Sequence, residues 1–232
     1  MLGVGLSFID LSMETIFLMR HGETAWNQEK RVMGRLEIPL SRRGIAQGKR
    51  IARLVPELEI RSIYTSPLTR AVATARILAK ECHKSVKISP DLTEIAFGRW
   101  QGYRFDELIK DDAYHRFLRS PLKAAVPGGE TIVDVQRRGL KAIRRAIREY
   151  PKGRLLFVSH GDVIRAILCH YLKLPLQEFR RLRIDNGTLS AFEVDGPWAE
   201  IKYLNYFPDV TEVTKEPFSG LKPGELNRKK TR

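Results

Sequence analysis

Arg20-His21-Gly22 sets a guanidinium beside an imidazole, followed by a glycine that allows close backbone approach to a ligand. Neutral imidazole is a competent nucleophile near pH 7, and a phosphate drawn in by guanidinium is an easy partner for it. A second His-Gly pair, His160-Gly161, follows the apolar run Leu155 to Val158. Two-residue motifs recur by chance, so the weight falls on the blocks that accompany them. These are Leu40-Ser41-Arg42-Arg43-Gly44, Thr65-Ser66-Pro67-Leu68-Thr69-Arg70-Ala71 with Thr74-Ala75, Leu92-Thr93-Glu94-Ile95-Ala96-Phe97-Gly98-Arg99-Trp100-Gln101-Gly102, and Pro127-Gly128-Gly129-Glu130.

Regular elements must carry these blocks. The run Ile16 to Met19 reads as a buried strand opening into a loop at Arg20, where α/β proteins place their chemistry. Ser41 caps a helix whose apolar positions Ile45, Ile51, Ala52 and Val55 keep helical spacing until Pro56. Ser62 to Thr65 predicts a second strand, and Ser66-Pro67 the first turn of a helix lined by Ala71, Ala75, Leu78 and Ala79. A short strand is expected at Val86 to Ile88.

Between residues 98 and 130 the pattern breaks into short amphipathic pieces (Phe105, Leu108, Ile109; Tyr114, Phe117, Leu118), an excursion able to cover a pocket. Ile132, Val135, Leu140, Ile143 and Ile147 form a stripe opposite Arg137, Arg144, Arg145 and Arg148, predicting an amphipathic helix over residues 131–150. The strand Leu155 to Val158 leads into a helix bearing Val163, Ile164, Ile167 and Leu168, and strands are expected at Thr188 to Val194 and Ile201 to Tyr206. This alternation predicts an α/β fold with a mostly parallel sheet and helices on both faces.

In order and register, the blocks resemble the histidine phosphatase (phosphoglycerate mutase-like) superfamily over residues 15–206. The resemblance implies a three-layer sandwich, a central sheet flanked by helices, with a small helical cap at about 100–130. It also implies His21 as the phosphorylated nucleophile, Arg20, Arg70 and His160 as holders of the phosphoryl oxygens, Asn27 as a further phosphate contact, and Glu94 as proton donor and acceptor. Phosphoryl transfer spreads charge over three equatorial oxygens, so fixed cations can do what Mg²⁺ does elsewhere, and planar guanidinium suits that task better than lysine. His160 is expected to serve as the imidazolium at a helix start, and the phosphate's charge to lift the pKa of Glu94. His83, His115 and His170 match nothing in the family, and Trp26 and Trp100 read equally as pocket walls or core.

Phe97 to Gly102 looks like the small-molecule phosphatase branch, which includes broad-specificity phosphatases and α-ribazole phosphatase, although an acid often stands there in place of Gln101. No long insertion of the cofactor-dependent mutase kind follows Glu94. The expectation is therefore a metal-independent, cofactor-free hydrolase of small phosphorylated metabolites, with phosphoglycerate mutase as the alternative.

Size and charge agree with that class. The chain has 232 residues, of which 43% are hydrophobic, enough for one core. Lys and Arg exceed Asp and Glu by 41 to 27, a formal net charge of +14 that attracts anions of any kind. These cations are spread over many segments rather than interleaved with aromatics, which argues against nucleic acid and against a non-catalytic polyanion-binding module. Two cysteines, Cys82 and Cys169, are too few for a disulfide framework, and their neighbours His83 and His170 lie about 100° away on a helix, a poor geometry for zinc.

No run is long enough to span a membrane, and the first fourteen residues lack a basic leader and cleavage site, so a cytoplasmic location is expected. Residues 1–14 read as an extension, with Met13 as a second candidate start, and 207–232 as a basic tail. A monomer and a homodimer are both compatible with the chain.

Overall fold

The computed structural model describes residues 13–196 and 198–208; most of the extension and the basic tail lie outside them. One six-stranded sheet forms the centre. Its strands are β1 (Glu14–Arg20), β2 (Ser62–Thr65), β3 (Val86–Ile88), β4 (Arg154–Ser159), β5 (Leu189–Asp195) and β6 (Trp198–Tyr206), in the order β3-β2-β4-β1-β5-β6. The four strands from β3 to β1 pair in parallel, and β5 and β6 add antiparallel pairings at one side.

The period of two in β1 divides the core. Ile16 and Leu18 point to one face with Leu155 and Phe157 of β4, whereas Phe17 and Met19 point to the other with Leu156 and Val158. On the first face lie α6 (Ile132–Glu149) and α7 (Gly161–Tyr171), and on the second α2 (Arg42–Ala52) and α3 (Thr69–Glu81). The short α1 (Ala25–Gln28) follows β1, and α4 (Phe105–Leu108) and α5 (Asp112–Arg119) make up the excursion. Trp100, Leu108, Tyr114 and Phe117 of that excursion join the α6/α7 core.

Several predicted elements shift. Ser41 does cap α2 by accepting from Gly44 N, and Thr131 caps α6 by accepting from Asp134 N. Ser66-Pro67, however, precedes the helix rather than opening it: α3 starts at Thr69, because Ser66 turns its hydroxyl to the Leu68 amide at 3.3 Å and to His160. β6 begins at Trp198, three residues before the predicted start. Glu14 is already in β1 opposite Val194, and Phe207 is buried against the α2/α3 core, so the fold reaches one residue further at each end than the spacing suggests. None of the described helices is long and apolar enough to cross a membrane.

Candidate active site

β1 and β4 are adjacent and parallel with Arg20 opposite Ser159, so the residues that follow each strand, His21 and His160, emerge side by side. Their rings lie 5.1 Å apart and both are buried. This is the carboxyl edge of a parallel sheet, the usual place for a ligand crevice. The two His-Gly pairs are thus one feature, built twice on neighbouring strands.

The His21 ring is fixed by its neighbours. Nδ1 is 2.7 Å from the Gly22 carbonyl oxygen, which can only accept, so Nδ1 carries the proton. Nε2 is 3.3 Å from Arg70 Nε, which can only donate, so Nε2 presents a lone pair. Burial, then the Arg70 and Arg20 charges, holds the His21 pKa well below the usual imidazole range, and the ring is neutral.

Arg70 is placed by α3 and anchored by backbone: Nη1 donates to Leu36 O at 2.8 Å and Nη2 to Gly34 O at 2.7 Å. Arg20 Nη1 donates to Ile184 O at 2.7 Å. Both guanidinium groups are buried and held by carbonyls rather than carboxylates. Burial followed by the Arg165 charge lowers the Arg20 pKa to about 10, which still leaves it charged. His160 Nε2 pairs with Ser66 Oγ at 2.8 Å.

Arg20 Nε and His160 Nδ1 are buried polar atoms with no hydrogen-bond partner, and a tetrahedral oxyanion would satisfy such groups. The expectation of an imidazolium at His160 needs correcting for this state: burial and the charge of Arg70 push its pKa well below the usual range, so the ring is neutral. Its backbone does occupy the N-cap of α7, as the sequence predicts.

Two glycines bring the α2 cap against the nucleophile loop. A Cβ on Gly22 would lie 2.3 Å from Gly44 O, and one on Gly44 would lie 2.1 Å from Glu23 O. Glu23 fastens this contact by accepting from Ser41 Oγ at 2.9 Å and from Arg43 at 3.1 Å. The Ser41-to-Gly44 block is therefore scaffolding for His21.

Glu94 lies in the loop after β3, and a single device brackets it. On α6, Arg138 binds Glu130 through Nε at 3.1 Å and Nη2 at 3.0 Å, and its Nη1 donates to the Asp91 carbonyl at 2.9 Å and also to the Thr93 carbonyl. Glu130 Oε2 accepts from Ala96 N at 3.0 Å. The backbone is thus held on both sides of Glu94. Spacing gave no sign of Arg138, since it borders the solvent-facing arginines of the same helix.

Burial, followed by the Asp162 charge, raises the Glu94 pKa to about 7. The lift expected from a phosphate is already supplied by the protein.

These groups border a cleft of about 410 Å³ lined by Arg20, Arg70, Glu94 and Asn27. Asn27 Oδ1 accepts from Thr24 N at 3.0 Å. His21 and His160 are buried beside Arg20 and Arg70 at its floor. The excursion does cover the pocket, with Phe105, Tyr114, Phe117 and Leu118 on its wall. Trp26 lines the cleft as well, but Trp100 is core, its indole donating to Asp111 at 3.0 Å. The sequence reading missed a second wall, from Asp162 and Arg165 of α7 to Arg180, Arg183 and Asp185. Proximity to His160-Gly161 was the one available signal, and it reached only Asp162. Among the described residues no three His, Cys, Asp or Glu side chains gather as metal ligands.

The family model for the histidine phosphatase superfamily (branch 1) matches residues 16–206. Over 189 residues the chain is 32% identical to the "Probable phosphoglycerate mutase GpmB" of Cronobacter sakazakii, covering 80% of this chain and 88% of that one. Among solved structures it resembles the α-ribazole phosphatase from Shigella flexneri (TM-score 0.75, 28% identity, 83% of this chain and 96% of that one). It also resembles a phosphoserine phosphatase from Entamoeba histolytica solved with 3-phosphoglyceric acid (TM-score 0.76, 27% identity, 84% and 98%).

Proposed function

Because this chain belongs to the histidine phosphatase superfamily (branch 1), we propose that its cleft hydrolyses phosphomonoesters through a phosphohistidine at His21, without metal or cofactor. The protein is a phosphomonoesterase of the histidine-phosphatase type acting on small phosphorylated metabolites. The observation that carries the mechanism is the His21 ring, its proton committed to Gly22 O and its Nε2 lone pair set among guanidinium groups.

In the first step Nε2 forms a bond to phosphorus while the bond from phosphorus to the leaving oxygen breaks. Protonated Glu94 gives its proton to that oxygen, and Arg20, Arg70, His160 and Asn27 hold the equatorial oxygens. The Gly22 carbonyl supports the positive charge that develops on the ring. In the second step carboxylate Glu94 takes a proton from water, whose oxygen attacks phosphorus. The N–P bond then breaks, its electron pair returns to Nε2, and phosphate leaves.

The test is a screen of phosphorylated metabolites for phosphate release with EDTA present, alongside His21→Ala. Activity that resists EDTA, a rapidly formed acid-labile phosphoprotein, and loss of both in the variant are expected.

The curated relatives favour a second reading, phosphoglycerate mutase. Interconversion of phosphoglycerates outpacing phosphate release would establish it.

A further inference from the structure

Small-ligand pockets run from about 300 to 1,000 Å³, so a cleft of about 410 Å³ suits a phosphate with a leaving group of a few carbons. Its far wall is mixed, with Phe105, Tyr114 and Phe117 beside cations. Four carboxyl side chains reach the lining, those of Glu23, Glu94, Asp162 and Asp185. Three of them are paired: Glu23 with Arg43 at 3.1 Å, Asp162 with Arg165 at 2.8 Å and Asp185 with Arg183 at 2.7 Å. The fourth is the acid at Glu94.

Arg31 is matched by Glu29 at 2.8 Å. Apart from the floor guanidinium groups, Arg180 and Lys30 line the cleft with no carboxylate partner among the described residues. Arg180 is not a free surface cation. It is half-buried, beside the Tyr114 hydroxyl, and follows buried Phe179 in the chain. A guanidinium partly withdrawn from water calls for an anion.

We propose that Arg180, assisted by Lys30, forms a second anion subsite in the leaving-group end of the cleft. The preferred substrates are then phosphomonoesters whose leaving alcohol carries another negative group, a carboxylate or a second phosphate. The inference rests on the phosphomonoesterase reading and narrows its substrate class.

Matched pairs test it: phosphoglycolate against ethyl phosphate, carboxyphenyl phosphate against tolyl phosphate, and a sugar bisphosphate against its monophosphate. A charge-assisted contact predicts a kcat/KM ratio of about tenfold or more in favour of the charged member. Preference within the first two pairs identifies a carboxylate, and preference within the third a phosphate. Arg180→Gln brings the ratio close to one, chiefly through KM, and Arg180→Lys recovers part of it. Lys30→Gln, an exposed change that cannot disturb the core, lowers the ratio a few-fold.

A ratio near one in the parent protein, or a ratio that survives Arg180→Gln, overturns the subsite. Failure to hydrolyse any ester beyond the His21→Ala level overturns the phosphomonoesterase reading instead. The subsite is then judged by calorimetric titration of the same pairs into His21→Ala: tighter binding of the charged members that Arg180→Gln abolishes supports it, and equal binding sinks it.

Discussion

The floor and the walls of the cleft are built on different terms. At the floor, His21, Arg20, Arg70 and His160 are buried side chains at strand ends or on the helix after β2, each fixed by backbone or by a buried hydroxyl. The walls come from the short helices α4 and α5 and from residues 179–186, whose polar groups mostly pair with one another. Groups that must stabilise charge without moving are tied to the sheet, and groups that meet a variable leaving alcohol stand on segments that can change without disturbing it. The difference separates chemistry from selectivity within one cleft.

Substitutions at the floor are expected to lower activity on every ester alike. Arg70→Lys keeps a charge but loses the fork anchored on Gly34 and Leu36, and should reduce kcat about 10²- to 10³-fold. Steady-state rates on three unrelated esters check this, and a loss confined to one would break the comparison.

Glu94→Gln removes the proton donor and should cost about 10²-fold or more on alkyl esters, but far less on nitrophenyl phosphate, whose leaving group needs no proton. Arg138→Met frees the backbone around Glu94 and predicts about a tenfold loss with the same dependence on leaving group. A purely structural defect would slow both ester types equally.

At the wall, Leu118→Ala should alter KM unequally among esters by about threefold, since only a methylene or two of contact is lost. The smallest effect concerns pH. Glu94 acts in its protonated form, so kcat should fall as pH rises through about 7. Asp162 disfavours the carboxylate at Glu94, so Asp162→Asn lowers that pKa and moves the falling limb to lower pH, a shift that a pH–rate profile with alkyl esters resolves.

Much of this site was legible in the chain because its parts are local. Strand, His and Gly are contiguous, and caps such as Ser41 and Thr131 announce themselves by type and position. What is local to the sequence but owed to distant partners was misread. Ser66-Pro67 carries the signature of a helix start, yet Ser66 is turned toward His160, 94 residues away. Arg138 sits among solvated arginines in every periodic sense, and only the approach of Glu130 and the loop of residues 91–96 separates it from them. The second wall was missed because its cations share no spacing with the histidines they face.

The sequence by itself determined the alternation of elements, the division of each strand between two faces and the kinds of group that gather at the strand ends. These follow from period, propensity and side-chain chemistry. Only the tertiary structure decided that β4 lies beside β1, which pairs the two histidines, leaves both rings neutral and gives Glu94 its raised pKa. Protonation depends on burial and on charges brought together from remote parts of the chain, and no local pattern encodes those distances.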